Sequence, residues 1–400
     1  MVRDSDRPLE MDLLLILAVF MVILGMLMFG ARSEHFPLSE DSIYGLSLVL
    51  FGFDAMTIGK TPFGDVRRSW VVLAIGLSVA SLGMIVCFIP HVLTRLARIS
   101  VGFLLLAGGF GRVLQLFAAD DRARSWMREG GVLAQMAFAS ALAYLLRIAA
   151  GVALLAPGFV NLRWTWALFL AFGASLLYSA WALRRVSMDR PEAAREDVSP
   201  AAGHGWLDYA ELPLSLANLL LTGALLILQG VLLFPVGVGL LPYSADGLFG
   251  LMLVLMAIQA MALGATPLGE LKRPTSMLLV GLSFAGLGIV ASIVPGLMTE
   301  WLRILIAVLN VGNGAKLLLE TYRRLTSKRA GAGHSASAVG ALNATITAVG
   351  ALTIVFGVAM LFPDILPLPV IAVLSILMGL AIFLLVTLLR SQAPLEPKPA

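Results

Sequence analysis

Apolar residues run through this chain in long, nearly unbroken stretches. They do not alternate with polar ones as in a strand, and they are too long for the buried face of a soluble helix. A helix needs ~20 mostly apolar residues to cross a hydrocarbon core. By that measure the pattern predicts twelve spans, at 11–30, 43–59, 70–90, 99–118, 132–156, 164–184, 213–235, 245–264, 275–295, 302–320, 339–362 and 367–389. The second is short. The first is too long for the apolar part of a cleaved signal and has no clear small-residue cleavage site, so it is expected to stay as an anchor. The longest polar connection, 185–212, contains RPEAAREDVSPAAGHG and reads as a flexible linker between two sets of six spans. Within it WLDYAEL, at 206–212, fits either a short interfacial helix or a polar loop. The tail, 391–400, reads as disordered. The expected fold is therefore all-α and polytopic, with a first six-span unit at 1–184 and a second at 213–390.

The two sets of six repeat one another. GLSVASLGMIVCFIP at 76–90 and GLSFAGLGIVASIVP at 281–295 share seven of fifteen residues, 205 positions apart. At the same offset Gly25 meets Gly230, Thr94 meets Thr299, Arg98 meets Arg303 and Gly109 meets Gly314. The turn TPFGD at 61–65 meets TPLGE at 266–270. Past one insertion the offset becomes 206, and Gly151 and Pro157 meet Gly357 and Pro363. Six spans is an even number, so both copies enter the membrane in the same orientation, as a parallel pseudo-repeat.

A smaller pattern recurs inside each copy. An odd-numbered span carries a glycine, a few apolar residues and then a proline, as in GMIVCFIP at 83–90, GVALLAP at 151–157 and GVLLFP at 230–235. The following even span often carries glycines in its middle, among them Gly108, Gly109, Gly173, Gly312 and Gly379. This pattern parses the chain as six helical hairpins, each an odd span with the even span after it. Gly76, Ala80 and Gly83 are spaced four and three apart and share one helical face. Small residues let helices approach closely in lipid, where packing drives association. The prolines mark where helices stop.

Charge adds orientation. Only 13% of residues are charged and the mean hydropathy is +0.94, far from a soluble domain's composition of about 25% charged. Of 28 lysines and arginines, the odd-numbered connections hold only Arg32, Arg95, Arg98, Arg163 and Arg303. The positive-inside rule then predicts both termini in the cytoplasm. Trp70, Trp164, Trp166, Trp181 and Trp301 fall near span ends, while Trp126 and Trp206 fall in cytoplasmic connections close to the membrane. The single cysteine, Cys87, excludes an internal disulfide, and the four histidines form no metal-ligating pair. The net charge of +4 does not point to nucleic acid. Arginine outnumbers lysine and alanine is abundant, which suggests a GC-rich bacterial genome.

With its three hairpins per unit, glycine then proline closing the first helix and glycines in the return helix, the chain resembles the HdeD family of bacterial acid-resistance membrane proteins. Members usually have one six-span unit, and this chain looks like two in tandem. The first hairpin and the linker depart from the pattern. The resemblance implies a stress-associated protein of the inner membrane. It carries across no catalytic, cofactor-binding or metal-ligating residue, so a non-enzymatic protein without cofactors is expected. Its partners are then the lipid bilayer and either another membrane protein or a second copy of itself.

Charges inside spans are the candidates for a specific function, because burying them in lipid is expensive. Asp54 and Arg112 lie at similar depths and an ion pair between them is one expectation, with snorkelling to the interface as the alternative. Arg147 sits ten residues before Pro157, about 15 Å from that end at 1.5 Å per residue. It is expected to face the bundle interior and to need a carboxylate, carbonyl or water. The second copy has Gln259, Leu317 and Thr353 at these three positions, and adds Lys316 and Glu320 near Asn310 and Asn313. Three functions stay open: an HdeD-like protein acting by packing or partner binding, a secondary transporter of six-plus-six architecture, and an accessory subunit of a larger complex. GKTPFGDVRRSW, between the second and third spans, has the aspartate and arginines of a major-facilitator loop at the wrong spacing.

Overall fold

The computed structural model describes residues 9–31, 37–57, 70–118, 126–128, 130–156, 164–189, 214–262, 275–328, 336–362 and 366–392. Twelve long helices occupy most of them: α1 (Leu9–Gly30), α2 (Glu40–Thr57), α3 (Trp70–Phe88), α4 (Thr94–Ala118), α5 (Gly131–Leu155), α6 (Thr165–Asp189), α7 (Leu214–Gly237), α8 (Ala245–Ala262), α9 (Thr275–Ile293), α10 (Thr299–Lys328), α11 (Ala336–Leu361) and α12 (Leu368–Gln392). No strand occurs among the described residues. Ten of these helices, all except α2 and α8, are long and apolar enough to cross a membrane, so the protein is an all-helical polytopic membrane protein. The turns TPFGD and TPLGE, WLDYAEL, the tail from 393 and the linker from 190 lie outside the described residues; residues 185–189 belong to α6.

The two exceptions are the most buried helices. In α2, Leu46, Leu48 and Val49 have no exposed surface, and in α8 neither do Leu253, Val254 and Ala257. A helix wrapped by other helices need not be uniformly apolar, which is how α2 accommodates Glu40, Asp41 and Asp54 within 18 residues. Elsewhere large apolar residues face outward. On α12 Val370, Val373, Leu377, Leu380 and Leu384 make an exposed stripe at helical spacing, suited to lipid.

The chain divides into two compact units that do not follow the linker. The first contains α1–α6 together with α8 and α9, and the second contains α7, α10, α11 and α12. In the first, α1 lies along α6, α2 along α3, α4 along α5 and α8 along α9. In the second, α7 lies along α12 and α10 along α11. Each matched pair of helices therefore packs the same way.

These partners correct the expected hairpins. The glycine face of α3 meets α2, the helix before it, and that of α5 meets α4; α1 closes onto α6. Facing glycines explain the choice. A Cβ on Gly45 would lie 2.7 Å from the Gly83 carbonyl oxygen, and one on Gly83 would lie 2.5 Å from that of Gly45. Gly52 and Gly76 oppose each other at 2.5 and 2.7 Å in the same sense. The matched Gly250 and Gly288 repeat the contact at 2.5 and 2.7 Å. Backbones this close admit no side chain, so the interface needs glycine on both helices.

The prolines act as expected at α3 and α9, which stop two residues before Pro90 and Pro295, since the residue preceding proline leaves the helical region. Pro235 departs from the pattern and sits inside the last turn of α7.

Within the first unit the two matched hairpins, α2–α3 and α8–α9, meet reciprocally. The Ser39 N–H donates to the Ile293 carbonyl at 2.8 Å, and the Ser244 N–H donates to the Phe88 carbonyl at 3.1 Å. Both donors and both acceptors correspond under the 205-residue offset. Each bond satisfies a carbonyl that a helix C-terminus leaves without an intrahelical partner.

Candidate functional site

All three charged residues singled out in the sequence come together. Arg112 Nη2 donates to both carboxylate oxygens of Asp54, at 2.9 and 3.0 Å. Arg147 Nη1 donates to Asp54 Oδ2 at 3.0 Å. Asp54 lies in the last turn of α2, Arg112 near the end of α4 and Arg147 well inside α5. Arg147 bridges the difference because side chains on a helix tilt toward its N-terminus, and the start of α5 lies at the end of the bundle where α2 and α4 finish.

The surroundings hold the two guanidinium groups in place. The Arg147 guanidinium carbon lies 5.3 Å from the centre of the Phe51 ring, and that of Arg112 lies 5.8 Å from Tyr144. Gly108 on α4 leaves room for Arg147, since a Cβ there would lie 3.0 Å from Nη2. Arg147 is 6% exposed, and its Nε is buried with no hydrogen-bond partner.

Beside this cluster is a cavity of about 80 Å³ between α1, α2, α4, α5 and α6. Its polar wall is Asp54, Arg112, Ser140, Tyr144, Arg147 and Ser179. Leu17, Leu50, Phe53, Phe172 and Leu176 make much of the apolar wall. Ser140, Tyr144 and Arg147 fall at i, i+4 and i+7 on α5, one polar face in an otherwise apolar span. That spacing was available in the sequence, and it would have added Ser140 and Tyr144 to the candidates.

Met136 and Leu183, also on the cavity wall, belong to an apolar cluster with Trp126, Met11, Leu116, Leu133 and Val186. Trp126, expected at a membrane surface, is instead 8% exposed and packed into this cluster. The tryptophans Trp70, Trp164, Trp181 and Trp301 are exposed, as interfacial indoles would be.

The second copy does not rebuild the site. Gln259 belongs to the first unit, whereas Leu317 and Thr353 belong to the second. The Thr353 hydroxyl donates to the Val349 carbonyl of its own helix. Lys316 and Glu320 are 3.9 Å apart on α10, both partly exposed.

Two repeated polar features serve the scaffold. The Arg98 Nε donates to the Leu154 carbonyl at the end of α5, at 3.3 Å. The matched Arg303 Nη1 donates to the Met360 carbonyl at the end of α11, at 2.6 Å. At the start of α2, Asp41 accepts the His91 backbone N–H at 3.0 Å, and at the start of α8 Asp246 accepts that of Gly296 at 3.0 Å. Asp41 also accepts the Thr94 hydroxyl. His91 and Gly296 both have positive φ, 66° and 76°.

Compared with family models, curated proteins and solved structures, the chain matches none.

Proposed function

We propose that this protein is a non-enzymatic, HdeD-like resident of a bacterial inner membrane that works by binding within the bilayer. On this reading all twelve helices span, as a six-plus-six parallel repeat with both termini cytoplasmic. The observation that carries it is the meeting of Asp54, Arg112 and Arg147 at one buried cavity. These are the charges that the duplication did not copy. The repeated polar residues Arg98 and Arg303 bind helix ends and build the scaffold. What is specific to this chain is therefore a charged, membrane-buried pocket, and the repeat is its frame.

A secondary transporter is the alternative, favoured by the same cavity beside a buried arginine. Flux of a broad panel of solutes into proteoliposomes separates the two. The binding reading expects no flux above empty vesicles. Saturable flux that is lost in Arg147→Ala would replace it with transport. Reporter fusions test the topology, and a signal from the outside of the membrane at either terminus would refute it.

A further inference from the structure

We propose that the Arg147 guanidinium and the adjoining cavity bind a small monovalent anion, a short-chain carboxylate or a halide. The proposal rests on reading the cluster as a binding site. Arg147, buried, and Arg112, partly buried, share the carboxylate of Asp54, so these three residues carry two positive charges against one negative. A buried charge without a counter-charge costs several kcal/mol, and such groups are ordinarily paired.

Arg147 is where a counter-charge would act. Arg147 spends Nη1 on Asp54, and its Nε, buried and without a partner, is left on the edge of the guanidinium that carries Nη2. Arg147 lines the cavity, and a guanidinium that gives one N–H to Asp54 keeps other donors for an anion, a charge-assisted hydrogen bond. Gly108 lets α4 pack directly against the guanidinium, where a Cβ would lie 3.0 Å from Nη2 and 3.4 Å from Nε.

Size and charge select the ligand. A cavity of about 80 Å³ has room for an ion the size of formate, acetate or chloride. One negative charge neutralises the cluster. A dianion such as sulfate would reverse its sign, and it would lose more hydration against the apolar wall of Leu17, Leu50 and Phe172.

The test is thermal unfolding of the full chain in nanodiscs, titrated with sodium formate, chloride, sulfate or gluconate at constant ionic strength. Formate and chloride are expected to raise the midpoint temperature saturably, and sulfate and gluconate not to. Arg147→Gln leaves Asp54 paired with Arg112 as a neutral couple, so the variant is expected to fold while its half-saturating concentration rises at least about tenfold. Asp54→Asn removes the internal counter-charge and is expected to lower that concentration about tenfold.

Equal melting in formate and gluconate would overturn the proposal. A formate effect that survives Arg147→Gln would also overturn it, as binding elsewhere. A flat titration without flux removes the anion site alone. Formate flux abolished by Arg147→Gln keeps the anion site and removes the non-transport reading.

Discussion

Asp54 holds together two arginines that would otherwise repel one another inside the bundle. Removing it should cost more than removing either cation. Asp54→Ala is expected to lose about 3–5 kcal/mol, the cost of breaking a buried pair and leaving its partners uncompensated. Arg112→Leu installs the residue found at the matched Leu317 and leaves a neutral Asp54–Arg147 couple, so its loss should be smaller. Denaturant unfolding in detergent compares the two, and equal losses would show that charge balance is not what Asp54 supplies. Positive φ gives a second contrast. Gly296 and His91 occupy matched turns, but only glycine adopts this conformation without crowding its Cβ. Gly296→His should cost about 1–2 kcal/mol by the same measurement. The Asp54–Arg112 pair was one of two readings the sequence left open from their common depth, the other being snorkelling. The partner of Arg147 was not legible, because distance along a helix says nothing of how far a tilted arginine reaches.

Helix pairing depends mostly on glycines that face glycines, although α1 and α6 set Gly25 against Leu170 and Gly173 against Val22. Gly45→Val and Gly250→Val should each force α2 from α3 or α8 from α9, at about 1–3 kcal/mol or more. Gly111 has nothing within 4 Å of where a Cβ would stand, so Gly111→Ala should be neutral or add up to about 1 kcal/mol. Thermal melting of the three variants checks this, and similar melting for all would mean the close approach is dispensable. The small-residue faces were visible as spacing in the sequence. Their partners were not: the rule of an odd span paired with the next even span paired most helices wrongly, because every span offers a similar face. The choice is made by which two faces match along their whole length.

The hairpin α8–α9 belongs to the same compact unit as the first six helices, although the linker separates them in the chain. A fragment of residues 1–212 therefore lacks the Ile293 carbonyl that Ser39 binds and the Ser244 N–H that Phe88 binds. Expressed alone in membranes it is expected to be digested by protease at helices that are protected in the full chain, and co-expression of 213–400 should restore protection. Equal protection of the fragment alone would show that the reciprocal bonds add little. By itself the sequence determined where the helices lie, that most are apolar enough for lipid, and which positions repeat. Those are properties of one segment at a time: hydropathy sums along it, and proline or glycine acts on its own backbone. The tertiary structure alone decided which helix faces which, that both arginines share Asp54, and that a hairpin from the second half completes the first unit. These are choices between pairs of surfaces, and twelve similar apolar helices leave many pairs open until backbones meet at facing glycines and buried charges find their counter-charge.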